Sequence, residues 1–471
     1  MRTYVNLLLV TCAAAALTAC QSVPVAYQKP ALEAPAKWNA PAAAAPQLAR
    51  ADRPDWWLDL KDPVLTNLIE TARSQNLDIK VAMARVDEAR ALSRINDAHY
   101  KPSISVEGSA VAGAGQRAFG GLNDFDERVG GGVRADWEPD LYGLQKLESE
   151  LGQAGLQAAG QQYRGAMNAL VAEVAKAYVD LRQQQAVSAL LHKNLDLENE
   201  TLRIARIQTK AGAGIQLDVL RAEAQVQTTQ AQLPTVDAQI QLDCNRIAVL
   251  LGETPGTRDV ALKPAQAIPA FASAPGLDAP ADIIADRPDV QNAEYLFEQE
   301  AVLKGIRSAD MFPKVSLSGF FGLSTSSYFG SSTPLNLAGQ IARPLLDYGR
   351  IQNQIAAQDA RKQQAFLTYK QTVLLAVEDV ERSLVQFGQE QQRLNTLQTA
   401  AGIQSDAARQ ARLRYQAGDA TFLDVLYAEQ QLLDAQLSEA QSRARLTTAG
   451  VDLYTAMGSS VVKTPGVLAR N

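Results

Sequence analysis

The chain has 471 residues, with 45 Lys+Arg against 51 Asp+Glu and a net charge of −6, so it offers no strongly basic face for nucleic acid. Hydrophobic residues make up 46% and aromatics only 6%, which supplies a large core built mainly from Ala, Leu and Val. Two His (His99, His192) and three Cys (Cys12, Cys20, Cys244) leave a metal centre, a Cys/His nucleophile pair and a disulfide framework poorly supplied. No catalytic residue, metal or cofactor is expected.

At the amino end Arg2 gives a short positive region, followed by an apolar stretch from Val5 to Ala16. That stretch is shorter than the ~20 residues of a membrane-spanning helix. It runs into Leu17-Thr18-Ala19-Cys20, small residues before a cysteine, as at a processing site. The string LTAC resembles the bacterial lipoprotein box, which implies a signal peptide over 1–19 and a lipid on Cys20. Cys244 then remains alone in an oxidising compartment, with a buried thiol as its expected state. Residues 20–54 are rich in Ala and Pro, lack periodicity and are expected to form an extended, lipid-anchored tether.

Beyond the tether the chain repeats itself. Ala211-Gly212 recurs as Ala417-Gly418, Leu217-Asp218-Val219-Leu220 as Leu423-Asp424-Val425-Leu426, and Ala222-Glu223 as Ala428-Glu429, all at one offset (424 − 218 = 206). Tyr100-Lys101-Pro102 matches Met311-Phe312-Pro313 at an offset of 313 − 102 = 211. Both halves share one order: helix, Pro-led strands, long helix, Ala-Gly break, helix. Duplication accounts for the shared order and offsets and predicts a pseudo-twofold within one protomer.

The first repeat is placed at 55–251, with a β-hairpin at about 102–138, and the second at 286–458, with a hairpin at about 313–343. A connector covers 252–285 and a tail 459–471. Residues 141–210 and 347–416 contain no proline and abound in helix formers. Seventy helical residues would reach ~105 Å, far beyond the helix of a compact domain. Leu170, Val174, Ala177 and Leu181 repeat at coiled-coil spacing, and Leu374, Val377, Val380, Leu384 and Phe387 mark a second apolar stripe.

After each proline the period changes to two. Val315, Leu317, Gly319, Phe321 and Leu323 alternate with Lys314, Ser316, Ser318, Phe320 and Gly322. Val129, Gly131, Val133, Ala135 and Trp137 alternate with Arg128, Gly130, Arg134 and Asp136. Leu335, Leu337, Gly339 and Ile341 form a third series, and Ile104, Val106 and Ala110 a weaker one. Val315, Leu317, Phe321 and Leu323 should face lipid, with Ser316 and Ser318 towards a lumen. Loops are expected at Gly113–Asp126 and Ser324–Pro334. Four strands of ~10 residues suit a membrane barrel in length, but four cannot close one. Either the hairpins are soluble or several chains pool them; pooling by three chains would give twelve strands that continue into a twelve-helix tube.

The order of LTAC, WWLDLKDPVLTNLIETARSQNLDIKVAMARVDEAR, WEPDLYG with RPLLDYGR, DRPDVQNAE, and the paired AGAGIQLDVLRAEAQ and AGDATFLDVLYAEQQ resembles the TolC-type outer-membrane efflux proteins. The likeness covers about 55–458, and the lipoprotein (NodT-like) branch serving resistance-nodulation-division pumps is the nearest in style. It implies a mainly α fold with a β-barrel part: a homotrimer with a twelve-stranded barrel in outer-membrane lipid and a helical tunnel reaching into the periplasm. The 252–285 connector would girdle that tunnel, and a periplasmic adaptor and an inner-membrane pump would be its partners. Gly212, Gly418, Leu217 and Leu423 would lie at the adaptor-docking tips. Asp218 and Asp424 match aspartates near the periplasmic constriction. Tyr415 matches a tyrosine that ties neighbouring coils shut, with Asp218 as its partner. The chain departs from TolC itself at Ala420, where TolC has an arginine that locks the aperture, and at Tyr427, where TolC has a second pore aspartate. Helix-end carboxylates interacting with the dipole remain the alternative reading of Asp218 and Asp424.

An enzyme would need convergent acid, base or nucleophile groups; Glu223 and Glu429 instead occupy equivalent repeat positions, which points to structure. An export channel for protein or polysaccharide, and a soluble coiled-coil adaptor lipoprotein, remain as alternative functions. The adaptor reading does not explain the two alternating hairpins.

Overall fold

The computed structural model describes residues 27–39, 55–115, 124–271, 279–326 and 330–458. The expected signal peptide, Cys20 and the 459–471 tail lie outside the described residues.

A 3-10 turn, Trp56–Leu60, precedes α1 (Pro63–Gln75), α2 (Leu77–Ala98), β1 (Ser103–Gly115), β2 (Asp124–Trp137), α3 (Leu144–Lys210) and α4 (Gln216–Leu250). Short α5 (Asp259–Leu262) and α6 (Pro280–Asp286) follow, then α7 (Pro288–Ala309), β3 (Lys314–Ser326), β4 (Gly330–Ser332), β5 (Leu335–Ala342), α8 (Arg350–Gln416) and α9 (Phe422–Ala456). The duplication is visible in the lengths. α2 and α7 have 22 residues each, α3 and α8 have 67, and α4 and α9 have 35. α2 and α7 start 288 − 77 = 211 apart, and the later pairs 350 − 144 = 422 − 216 = 206 apart. The long helices start where an aspartate satisfies free N–H groups. Asp140 accepts from the amides of Gly143, Leu144 and Gln145 at 2.8–2.9 Å. Asp347 accepts from Gly349 at 3.1 Å and Ile351 at 3.0 Å.

The chain divides into two compact units, and each repeat contributes to both. The first unit, built mainly from 86–159 and 293–369, holds the sheet. Its strands run antiparallel in the order β1, β2, β3, with β4 and β5 both paired to β3. The register lines up every apolar series. Val106 is opposite Val133, Val133 opposite Phe321, and Phe321 opposite Leu335; Trp137 is opposite Leu317, and Val315 opposite Ile341. Because side chains alternate with period two, one whole face is apolar. It is also bare: Val106 is 85% exposed and Leu337 83%. The reverse face carries Ser103, Ser105, Glu107, Arg134, Ser318, Asn336 and Gln340, and Arg134 Nε donates to Glu107 across the strands at 2.6 Å. β1 and β5 each pair on one side only among the described residues.

The hairpin loops are shorter than the composition suggests. β1 and β2 pair as far as Gly115 and Asp124, and β3 pairs with Gly330–Ser332 through Ser326. The fourth strand breaks between β4 and β5 at Pro334, which has no N–H for the ladder; its carbonyl still accepts from Gly322 N at 3.1 Å.

The second unit, mainly 31–85, 160–292 and 370–458, is helical. Leu170, Val174, Ala177 and Leu181 are buried along α3, as their spacing requires. On α8 the stripe is rotated from the expected one. Val380, Leu384 and Phe387 are buried, but Leu374 is 66% exposed and Val373 and Ala376 lie inside instead. Neighbours on a helix point ~100° apart, so in the run Thr372-Val-Leu-Leu-Ala-Val the apolar pattern alone does not select the inward residue. The connector is pinned by a fully buried arginine: Arg182 donates to Pro264 O at 2.8 Å and to the Tyr178 hydroxyl at 2.9 Å, and that hydroxyl donates to Asp62 at 2.7 Å. Cys244 is buried, and burial raises its thiol pKa, which makes it unreactive.

The 27–39 segment has no helix or strand but is docked rather than free. Tyr27 donates to Glu294 at 3.1 Å and packs on Phe297, and Lys29 joins the same carboxylate at 2.9 Å. Farther along, Glu33 pairs with Lys370 at 2.8 Å and Asn39 N donates to Glu381 at 2.6 Å. Composition reports the absence of periodicity; it does not report these contacts.

Candidate functional site: the helix–turn–helix tips

Two turns of the second unit, α3 to α4 and α8 to α9, bring together most of the site residues read from the sequence. Each long helix ends the same way. Gly212 has φ 78° and Gly418 φ 81°. Ala213 N donates to Gln208 O and Gly212 N to Thr209 O; Asp419 N donates to Arg414 O and Gly418 N to Tyr415 O. This paired bonding needs a left-handed residue, and glycine adopts it without penalty. Leu217 and Leu423 stand at matching places after the turns, 48% and 50% exposed, with Ile215, Leu220 and Tyr427 also exposed nearby.

Asp218 and Asp424 are both the third residue of their helix but do different work. Asp424 is consumed by a capping box: its Oδ2 accepts from Thr421 N at 2.8 Å and from Thr421 Oγ1 at 2.7 Å. The Thr421 hydroxyl and amide hold its carboxyl below the usual range. In α4 the cap position is Ile215, which has no side-chain acceptor. Asp218 therefore keeps its oxygens free of a capping role and lies 3.7 Å from Arg221.

Tyr415 is 8% exposed in a core with Leu202, Ala205, Val219, Ala222, Phe422 and Val425, packed edge-on to Phe422. Burial, and behind it the Asp218 charge, raises its pKa. No hydrogen bond joins Tyr415 to Asp218 within the chain. Tyr415→Phe should accordingly change the stability of the fold by less than ~1 kcal/mol, whereas Tyr415→Ala should cost ~3 kcal/mol by leaving a cavity. Chemical denaturation of the two variants checks this. Any large effect of the phenylalanine on conductance would then report a contact between chains.

Ala420 packs against that same core. Two features escaped the sequence reading. The spacing Thr421-x-x-Asp424 is itself a capping signal. Above the turns, Glu198 and Glu429 are both 4% exposed, and no local pattern marks a glutamate as buried.

The profile of the outer membrane efflux protein family matches residues 68–253 and again 279–459, one match in each repeat. Nodulation protein T of Rhizobium leguminosarum bv. trifolii is 31% identical over 409 residues, covering 86% of this chain and 87% of that one. The pyoverdine export outer membrane protein OpmQ of Pseudomonas aeruginosa is 29% identical over 470 residues, with 94% of each chain covered. Among solved structures, the outer-membrane channel OprN superposes with a TM-score of 0.87 at 31% identity, over 94% of this chain and 99% of that one. The chain belongs to the outer membrane efflux protein family. It is an outer-membrane efflux channel, and not an enzyme.

Proposed function

We propose that three copies pool their strands into a twelve-stranded barrel, anchored additionally by lipid on Cys20, and pass small molecules from the periplasm outward. The observation that carries this is the sheet: a bare apolar face, a polar reverse and two edges unpaired among the described residues. In a bilayer such edges leave backbone groups unsatisfied, and joining β5 of one copy to β1 of the next removes them all.

The tips at Gly212 and Gly418, with exposed Leu217 and Leu423, offer apolar contacts to a periplasmic adaptor, and an inner-membrane resistance-nodulation-division pump supplies the cargo. Asp218, Asp424 and Tyr415 belong to the gate, where a trimer brings six carboxylates around one axis. The names of the relatives include pyoverdine export and efflux of solvents and toluene, cargoes with little shared chemistry. That favours a passive conduit for small molecules, with selection made by the pump. Single-channel recording in planar bilayers tests the reading. Stepwise, cation-preferring conductance supports it; a homogeneous, folded preparation that never conducts contradicts it.

A further inference from the structure

Arg206 and Glu223 form an ion pair at 2.7 Å in the first repeat, 54% and 41% exposed. Their counterparts at the repeat offset are Arg412 and Glu429 (412 − 206 = 206; 429 − 206 = 223), paired at 3.4 Å with Glu429 only 4% exposed. Duplication kept the pair and one copy became buried. Around the buried copy stands a polar set that the other repeat lacks. Thr201 Oγ1 donates to Glu429 Oε1 at 3.1 Å. Glu198, one turn before Thr201 on α3, accepts at Oε1 from Asn194 at 2.7 Å, Thr229 at 2.9 Å and Gln225 at 3.0 Å. The residues 206 positions on from Glu198, Thr201 and Thr229 are Gln404, Ala407 and Ala435, which cannot repeat this arrangement.

The set is short of positive charge and of donors. Arg412 from α8 and Glu198 from α3 are the charged groups facing Glu429, while α4 contributes only neutral Gln225 and Thr229 to Glu198. Glu198 Oε2 is buried without a hydrogen-bond partner. Glu429 thus pairs with one arginine that is itself 28% exposed, and the hydrogen bonds to Glu198 come from neutral groups alone. We propose that Glu198 and Glu429 form a proton-holding clamp that binds the α3–α4 hairpin to the α8–α9 hairpin, tight when the pair holds a proton and loosened when it does not. The inference concerns the packing of the tips and stands or falls independently of conduction.

Burial raises the pKa of both groups, that of Glu429 to about 7, with the Glu198 charge adding to it against the opposing effects of Thr201 and Arg412. The sign follows from linkage. An acid raised in the packed state favours packing fully below its ordinary value near ~4.5 and loses that contribution as pH rises through the raised value. Local opening of the tips should therefore increase by up to ~10-fold per pH unit towards about 7 and level off above it.

Hydrogen–deuterium exchange on the intact detergent-solubilised protein reads this directly, in peptides spanning 195–230 and 410–435, corrected for intrinsic rates between pH 5.5 and 8.5. The parent should lose protection across that window. Glu429→Gln, locked in a neutral form, should lose the part of the pH dependence centred near 7 and keep only the contribution of Glu198, and Glu198→Gln should move the midpoint downward by removing the like charge. Glu223→Gln, at the exposed counterpart, should track the parent. Glu198→Gln also serves where Glu429→Gln does not fold. A parent whose protection is independent of pH overturns the clamp, as does a Glu429→Gln or Glu198→Gln variant that titrates with the parent's midpoint and amplitude.

Discussion

Phe321→Arg is expected to abolish or severely reduce barrel assembly. Phe321 lies near the middle of β3, on the apolar face between Val133 and Leu335 and 58% exposed in the single chain. An arginine on the lipid face at mid-membrane costs ~2–4 kcal/mol, falling to ~0–1 near the interfaces. A trimer incurs that cost three times over. Leu317, opposite Trp137 towards the other end of the strand, should tolerate arginine better than Phe321 does. Ser318→Arg, on the polar reverse face, should be milder still. The check is the fraction of each variant recovered as folded oligomer from membranes. Equal recovery of Phe321→Arg and Ser318→Arg would reverse or abolish the assignment of faces.

The second large effect is expected at Arg287, 7% exposed where α6 meets α7. Its Nη1 donates to Ala456 O at the end of α9 at 2.6 Å, and to Ala376 O on α8 at 3.4 Å. Its other nitrogens reach Asp289 at 2.7 and 3.0 Å and Asp379 at 3.2 Å. One side chain therefore joins α7, α8 and α9. Arg287→Met keeps an apolar stem but removes every donor. With charged hydrogen bonds contributing ~1.5–3 kcal/mol each, and some relief because both carboxylates are partly solvated, a loss of ~3 kcal/mol is expected. The acid limb should change as well. Burial alone would raise Asp289, but the bonds from Arg287 outweigh it and hold its carboxyl below the usual range. A lowered acid contributes stability above its ordinary pKa and loses it as pH falls through the folded value. In Arg287→Met that acid-side slope should shrink. Thermal unfolding followed by circular dichroism across pH 3–7 measures both effects. Unchanged stability would mean that the three helices are held elsewhere.

The strands were legible because a period of two admits only two choices of face, and Val315, Leu317, Phe321 and Leu323 make one choice clear. Helix limits were legible from Asp347, Gly212 and Gly418, residues whose backbone roles are local. Rotation about a helix axis was less so. Leu374 and Val373 are both apolar, and only the packed neighbours decide which turns inward. Burial of charge was not legible at all: Glu223 and Glu429 sit in the same Ala-Glu motif, yet one is solvated and the other is 4% exposed. The division of labour between Asp218 and Asp424 was half legible, since Thr421 announces a cap and Ile215 denies one. The docking of 27–39 rests on single side chains, Tyr27 above all, in a segment whose composition reads as loose chain.

The central claim is that one chain holds only a third of a barrel. Native mass spectrometry of the mature protein extracted from membranes in mild detergent tests it most directly. The expected result is a complex of three chains, near three times the mass of the single chain, that falls to single chains on heating. A protein that leaves the membrane as a folded monomer, with β1 and β5 still unpaired, would contradict it.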